Sequence, residues 1–475
     1  MNSIAHGLVL ILVLNWNVHA REWLVGSSTE IKSVLPDLKP GDVVVMKSGR
    51  WLDQKIRFTA NGTSQKPILL KAQKAGQTRL TGKSRLHIYG THLVVDGLLF
   101  TEGSVGANQT VIRLGEDTRH CRLTNTAVIG YSPPDKNTST AWVHTLGLHN
   151  RIDHCFFSGK SNLGVVLSVN FSVDQPNYHQ IDHNYFGPRP YHGLNGAEMI
   201  RIGDSTQSSQ VSRSTVTYNL FEGCSGEAEI ITNKSCENYF RYNTFRKCQG
   251  ALTLRHGHRS MVEGNFFLGE GEENTGGVRA NGEGHRIWNN YFCGLTGSGA
   301  RAALCIHNGV PNSPVGLYHQ VKDLKVIHNT FVNNHQNVLM GYGRGKHGAI
   351  LPPIQTIFAN NIIQGKISPF LQLDEAQAQI KYEGNIVYGA KTGVSSMKGL
   401  LAVDPKLMKD KLGIYRPQKD SPAKGEAKGS YPKITHDLDG HKRLGQSDVG
   451  ADQMSTTPIT RRPLSMKDVG PAWKR

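Results

Sequence analysis

Five polar residues in the middle of this chain have the types and the spacing for a single piece of chemistry. Glu227 and Glu229 stand two apart, so on a strand they point the same way. Two carboxylates on one face repel unless a cation or a proton sits between them. Asn195, in Gly193-Leu194-Asn195-Gly196, would add a neutral oxygen, and an all-oxygen ligand set suits a hard cation such as calcium. Lys234 follows at short range as a possible base, and Arg255 as a possible acid. Together they are equipment for removing a proton beside a carboxylate. Taken singly, each has an ordinary reading. The glutamates suit a solvated strand face, Lys234 and Arg255 suit its salt bridges, and Asn before Gly suits a turn. The joint spacing favours the chemistry.

Those residues span sixty positions, so the fold must bring them together. A repeat supplies the means. Its core is an Asn followed two residues later by Phe or another apolar residue, at Asn184, Asn219, Asn243, Asn265, Asn290, Asn329, Asn361 and Asn385. Cys155-Phe156-Phe157 is an earlier, degenerate copy. A base period near 23 residues with insertions is the mark of a solenoid, and strand-like repeats of this size predict a parallel β-helix. The Asn residues should form a stacked ladder at a turn, and the Phe residues should fill the interior. One period apart in sequence then means adjacent in space, about 4.8 Å away. Aligning Gly226 with Gly250 places Ile231 over Arg255 and brings Lys234 within a few residues of it. The longer steps place insertions near 297–322 and 333–355, which carry Arg301, His307, Tyr342, Arg344, Lys346 and His347 and would build a binding surface.

The ends and the composition bound the rest. The apolar run from Gly7 to Leu14, ending in Val18-His19-Ala20, reads as a secretory signal over residues 1–20. The run is too short to span a bilayer. The expectation is a soluble protein, secreted or periplasmic in a bacterium, with no membrane partner. Ser27-Ser28-Thr29-Glu30 resembles a capping box for a short N-terminal helix. Residues 21–454 form the solenoid domain, and 455–475, polar, basic and proline-containing, form a loose tail. The formal net charge of +17 points to a polyanionic partner. No zinc-finger spacing or RNP-like motif points to nucleic acid, which leaves an acidic polysaccharide or another anionic surface as the partner of a monomer or weak oligomer. The seven cysteines are too sparse for a disulfide scaffold, and Cys224 and Cys248 read as a buried thiol ladder.

At these residues the sequence resembles the polysaccharide lyase family that contains chondroitinase B and a group of alginate lyases. The matching pieces are Asn195 in its Asn-Gly turn, Glu227-Ala228-Glu229, Asn233-Lys234-Ser235 and Leu254-Arg255-His256-Gly257. Gly276-Gly277-Val278-Arg279, Gly282-Glu283-Gly284-His285-Arg286, Leu38-Lys39-Pro40-Gly41-Asp42 and Asp448-Val449-Gly450-Ala451-Asp452 extend the likeness over most of residues 23–453. The resemblance implies an all-β chain, a single right-handed parallel β-helix, and β-elimination on a uronic-acid polymer. It implies calcium (Ca2+) held by Asn195, Glu227 and Glu229, with Lys234 as base and Arg255 as acid. His256 and Arg279 are candidate contacts to the substrate carboxylate.

The short motifs stand nearer the alginate-cleaving branch, with dermatan sulfate as the alternative substrate. A β-helix glycoside hydrolase would need two carboxylic acids as its acid and base, and Glu227 and Glu229 fit that pattern superficially, without the clustered aspartates of that class. A non-catalytic polysaccharide-binding β-helix would share the charge and the loops. Asn233-Lys234-Ser235 is also a glycosylation sequon. A glycan there would block Lys234, which favours a host that leaves sequons unmodified.

Overall fold

A computed structural model describes residues 20–474 except 172–174, 368, 375–377 and 444. Of the expected leader only Ala20 lies among them. The chain winds into stacked coils whose strands line up in three parallel sheets of 14, 12 and 14 strands. A complete coil contributes one strand to each sheet, as in Tyr239–Arg241, Thr244–Arg246 and Ala251–His256. This is the expected parallel β-helix. The short helix Ser28–Val34 packs Ile31 into its first coils. Ser27 caps the helix by accepting the Glu30 amide N–H, and the Glu30 carboxylate reaches back to the amide of Gly26.

The repeat residues do what their spacing demands. From Asn184 to Asn385, each side-chain Nδ2 donates to the Oδ1 of the next Asn at 2.9–3.1 Å. The same Oδ1 also accepts a backbone N–H from the neighbouring coil, as Asn290 does from Asn265. Nδ2 donates as well to a carbonyl of the coil on the other side, as from Asn265 to Phe240. The residue before each ladder Asn lies in the left-handed region, with His183, Tyr218, Tyr242 and His328 at φ between 53° and 56°. That conformation costs a non-glycine residue about 1 kcal/mol, and the amide network holds it in place. Two residues on, the rings of Phe157, Phe186, Phe221, Phe245, Phe267, Phe292 and Phe331 stack 4.6–5.4 Å apart along the axis. Cys155 opens the ladder by giving its N–H to Asn184, so the degenerate copy is structurally a full one. All seven cysteines are free thiols. Cys224 and Cys248 stack as thiols, each bonded to carbonyls of the coil before it.

The C-terminal segment differs from the expected loose tail. After the hairpin Leu407–Lys409 and Tyr415–Pro417 the chain runs back along the outside of the second 14-stranded sheet. Val449 and Ala423 cover Ile362 and Ile386, and Leu438 and Ala451 cover Phe266 and Tyr291. Leu464, Val469 and Trp473 then cover Phe156, Tyr185 and Leu220. The Leu464 amide bonds to Thr244 Oγ1 and the Trp473 indole to the Asn125 carbonyl. The physical reason is the residue between each ladder Asn and its Phe. It points outward on that sheet, and in most coils it is apolar, so the face needs a cover.

The ladder predicts a large local cost. Asn265→Ala removes a fully buried amide and strands the groups it served on both adjoining coils. Each orphaned group costs about 1–3 kcal/mol, so urea unfolding should show a loss of about 3 kcal/mol or more.

Candidate active site

The candidate residues gather on the outward side of the 12-stranded sheet. Three adjacent strands carry most of them: Glu229–Lys234, Ala251–His256 and Val278–Ala280. Their register corrects the simple alignment of glycines. Ile231 pairs with Leu252, not with Arg255, and Lys234 pairs with His256, next to Arg255 as expected. The offset is already shorter at Glu229, which pairs with Ala251, and two irregularities, between Glu229 and Ile231 and between Asn233 and Lys234, then shift it by one residue and back. Such bulges re-aim side chains at the end of a strand. Here the second one leaves Arg255 as the extra residue beside Lys234, while ordinary alternation along the strand turns Asn233 inward. The Asn233 side chain is fully buried and bonds to Ser235 and Asn238, so the sequon faces the interior while its lysine faces out.

The two glutamates meet, though not by strand alternation. Glu229 begins its strand, whereas Glu227 lies in the bend before it. Glu227 Oε1 accepts the backbone N–H groups of Gly196 and Ala197 at 3.1 and 3.2 Å. Glu229 Oε1 is held by Arg255 Nη1 at 2.9 Å and Arg279 Nη2 at 2.8 Å, and its Oε2 accepts the Thr232 hydroxyl at 2.6 Å. Arg279 is therefore tied to Glu229 and positions that carboxylate. Asn195 is exposed and lines a cleft with His144, Asn170 and Arg201.

A third carboxylate completes the group. Glu198 is buried, and its Oε2 has no hydrogen-bond partner. Burial, with the charges of Glu198 and Glu229, pushes the Glu227 carboxyl up to about 8. Glu229 moves down despite its burial, because Arg279 and Arg255 stand against it. One carboxylate is thus neutralised by arginines, and the other two make no ion pair among the described residues, with only the charge of the buried Arg189 acting on both. That excess, with an orphaned buried oxygen and the nearby Asn195 amide, fits a hard divalent ion. A second acidic group, Asp437, Asp439, His441 and Asp452, also has potential ligand atoms within 4.8 Å of one another. Arg416 ion-pairs with Asp439 and Asp452 there and fastens the C-terminal wrap.

Around Lys234 the electrostatics favour a neutral amine. Burial and then the Arg255 charge hold its pKa below the ordinary value of 10.5. His256 is buried and pushed down to about 4 by burial, then by Arg255 and Lys234. It is a neutral imidazole, fit to donate a hydrogen bond and not to offer a charge. The insertion after His307 closes one side of the site. It crosses to an earlier coil, where the Gly316 amide bonds to Ser208 Oγ at 3.2 Å. On the way it lays Tyr318 against His307, with ring centroids 4.6 Å apart, and 5.9 Å from the Arg255 guanidinium.

Sequence reasoning missed Glu198 and Tyr318. Glu198 lay three residues past Asn195, and a charged residue running into an apolar strand was the available signal. Tyr318 lay inside an insertion already marked as site-forming, but nothing in the sequence says which of its residues folds inward.

The family model described as Chondroitinase B matches residues 25–429. No curated protein sequence matches the chain. Among solved structures, a variant of the PL6 family alginate lyase AlyGC superimposes with a TM-score of 0.84 at 34% identity, over 95% of this chain and 58% of that one. The chain thus spans less than two thirds of AlyGC. A mannuronic acid specific polysaccharide family 6 lyase from human gut microbiota superimposes with a TM-score of 0.75 at 33% identity, over 82% of this chain and 92% of that one.

The shared ion pair at Glu229 can be tested without any substrate. Glu229→Ala leaves Arg255 and Arg279 without their carboxylate. Breaking a buried pair costs about 3–5 kcal/mol, and denaturant unfolding should report a loss near that size.

Proposed function

The chain belongs to the chondroitinase B family of polysaccharide lyases, and on that premise we propose that it cleaves alginate by β-elimination. The observation that carries the reaction is the meeting of Lys234 and Arg255 on two adjacent bulged strands, beside three buried glutamates. What supports alginate over dermatan sulfate is the likeness to two lyases at 33–34% identity, one an alginate lyase and the other mannuronic acid specific.

In this reading the substrate uronate lies over the Lys234–Arg255 pair. Lys234 takes the C5 proton, the C4–O bond breaks, and the new chain end carries a C4–C5 double bond. Only the neutral amine can act, so activity rises with pH through the Lys234 pKa, which burial and Arg255 hold below 10.5. Glu227, Glu229, Glu198 and Asn195 would hold calcium. When bound, the ion supplies positive charge to the substrate carboxylate and lowers the cost of removing the adjacent proton. The family resemblance assigns the leaving-oxygen proton to Arg255. A guanidinium releases a proton poorly, so Arg255 chiefly stabilises charge on that oxygen. Tyr318, packed beside it, carries a hydroxyl better suited to deliver the proton. His256, neutral, orients the sugar by hydrogen bonding.

Elimination leaves an ultraviolet-absorbing product, which hydrolysis does not. The mature protein should raise absorbance on alginate, and Lys234→Ala should lower that rate by about a hundredfold or more while polymer binding persists. A rise on dermatan sulfate alone would reassign the substrate. Retained turnover in Lys234→Ala would remove the lysine from the mechanism. Calcium is tested apart from activity. Millimolar calcium should raise the melting temperature by a few degrees through binding to the folded state, and Glu227→Gln should abolish that rise. No rise in the wild type would exclude a calcium site of useful affinity.

A further inference from the structure

The 12-stranded sheet extends six strands upstream of the catalytic one, and its outward face there differs from the rest of the surface. One column of side chains runs coil by coil from Arg57 through His87, Arg113, His144 and Ser168 to Arg201, then to Thr232 in the catalytic strand. Beside it lie two clefts. One, of about 410 Å³, is lined by Lys55, Lys83, Arg85 and Gln109. The other, of about 330 Å³, is lined by Gln109, His144, Arg201 and Asn195. Gln109 belongs to both, so the two join into one path that ends at the candidate site.

The cations on this path are left unmatched. All four arginines in strands of the first 14-stranded sheet, Arg122, Arg151, Arg241 and Arg286, are paired with carboxylates. On the path, Arg113 pairs with the exposed Glu116. Lys55, Arg57, Lys83, Arg85 and Arg201 have no carboxylate partner among the described residues. The nearby Asp53 carboxylate takes the backbone N–H of Lys83 and not its ammonium. Arg57 lies over the Tyr89 ring at 3.8 Å from its centroid, a cation–π contact that holds the charge in place on the path. Unpaired cations along a groove raise the local concentration of a polyanion.

We infer that this path is an extended trough for the acidic polysaccharide, with a distal anchor at Lys55, Lys83 and Arg85. The inference rests on the reading of the chain as a polyuronate lyase. The strand carrying Arg85 lies five strands from Glu229–Lys234, which at about 4.8 Å per coil places the anchor about 24 Å from the reaction. A 1→4-linked pyranose advances by roughly one coil, so a chain of about five or six sugars is needed to reach both. Shorter fragments engage the site without the anchor.

Lys55 and Lys83 are exposed and Arg85 is half-buried, outside the core, so Lys55→Ala/Lys83→Ala/Arg85→Ala leaves the fold intact. The control, Lys32→Ala/Lys39→Ala/Lys74→Ala, removes the same charge from exposed positions elsewhere. For the trough variant, kcat/KM should fall about tenfold or more on polymeric alginate, each lost charge contact contributing a few-fold. On an alginate trisaccharide it should match the wild type, as should the control on both. Equal losses on polymer and trisaccharide, equal losses in variant and control, or no loss on polymer overturns the trough. Retardation in alginate-containing and dermatan sulfate-containing gels separates this from the function itself. A wild type that cleaves neither polymer, but whose retardation is lost only in the trough variant, overturns the lyase reading and keeps the trough. Unchanged retardation in the trough variant overturns the trough.

Discussion

The buried ladder of asparagine amides is the constraint on which the molecule depends. Each side chain bonds to the coil on either side, so a coil has one permitted register with its neighbours. The backbone bonds of a parallel sheet do not by themselves fix the register, because they are evenly spaced and recur every second residue. The amides remove that freedom, since a slipped coil would leave polar groups buried without partners. They also hold the left-handed corner that turns one sheet into the next. With the corners held, the strands between them can vary in length, and whole insertions can leave the stack without disturbing it.

The site exploits that tolerance. Inside the ladder the pairing is regular, yet on the 12-stranded sheet the strand that carries Lys234 is irregular at both ends of its pairing with the next. Strand alternation separates two tasks in two neighbouring residues. Asn233 turns in and joins a buried polar network, while Lys234 turns out beside Arg255. The bend before Glu229 brings Glu227 back against the Gly196–Ala197 amides. A site built at departures from the repeat is anchored by the repeat all the same, because the rungs above and below do not move.

Charge compensation runs through the rest of the surface. The solenoid carries a large positive excess and matches its arginines with carboxylates along one long sheet. On the site sheet the matching fails in two opposite senses. Upstream, cations outnumber carboxylates. At the centre, three glutamates crowd together, and among the described residues only Glu229 makes ion pairs with arginines. A polyanion and a small cation are the complements of those two imbalances, and a uronate polymer meeting a divalent ion brings both to one place.

Much of this was legible in the residues themselves. The Asn-x-Phe period determined the solenoid, the ladder and the ring stack, because a repeat can bury its polar and apolar groups in only one consistent arrangement. The motifs around Glu227, Lys234 and Arg255 likewise marked where chemistry could occur. The apolar residues between Asn and Phe carried the signal for a covered face, but the C-terminal residues that cover it look polar and loose in isolation. Their few apolar anchors, Leu464, Val469 and Trp473, have no period of their own. Register at the bulges, the third carboxylate at Glu198 and the approach of Tyr318 were decided by tertiary structure alone. A bulge inserts one residue with no compositional mark. The path of a loop depends on what it meets across the cleft, and that surface exists only once the coils have stacked.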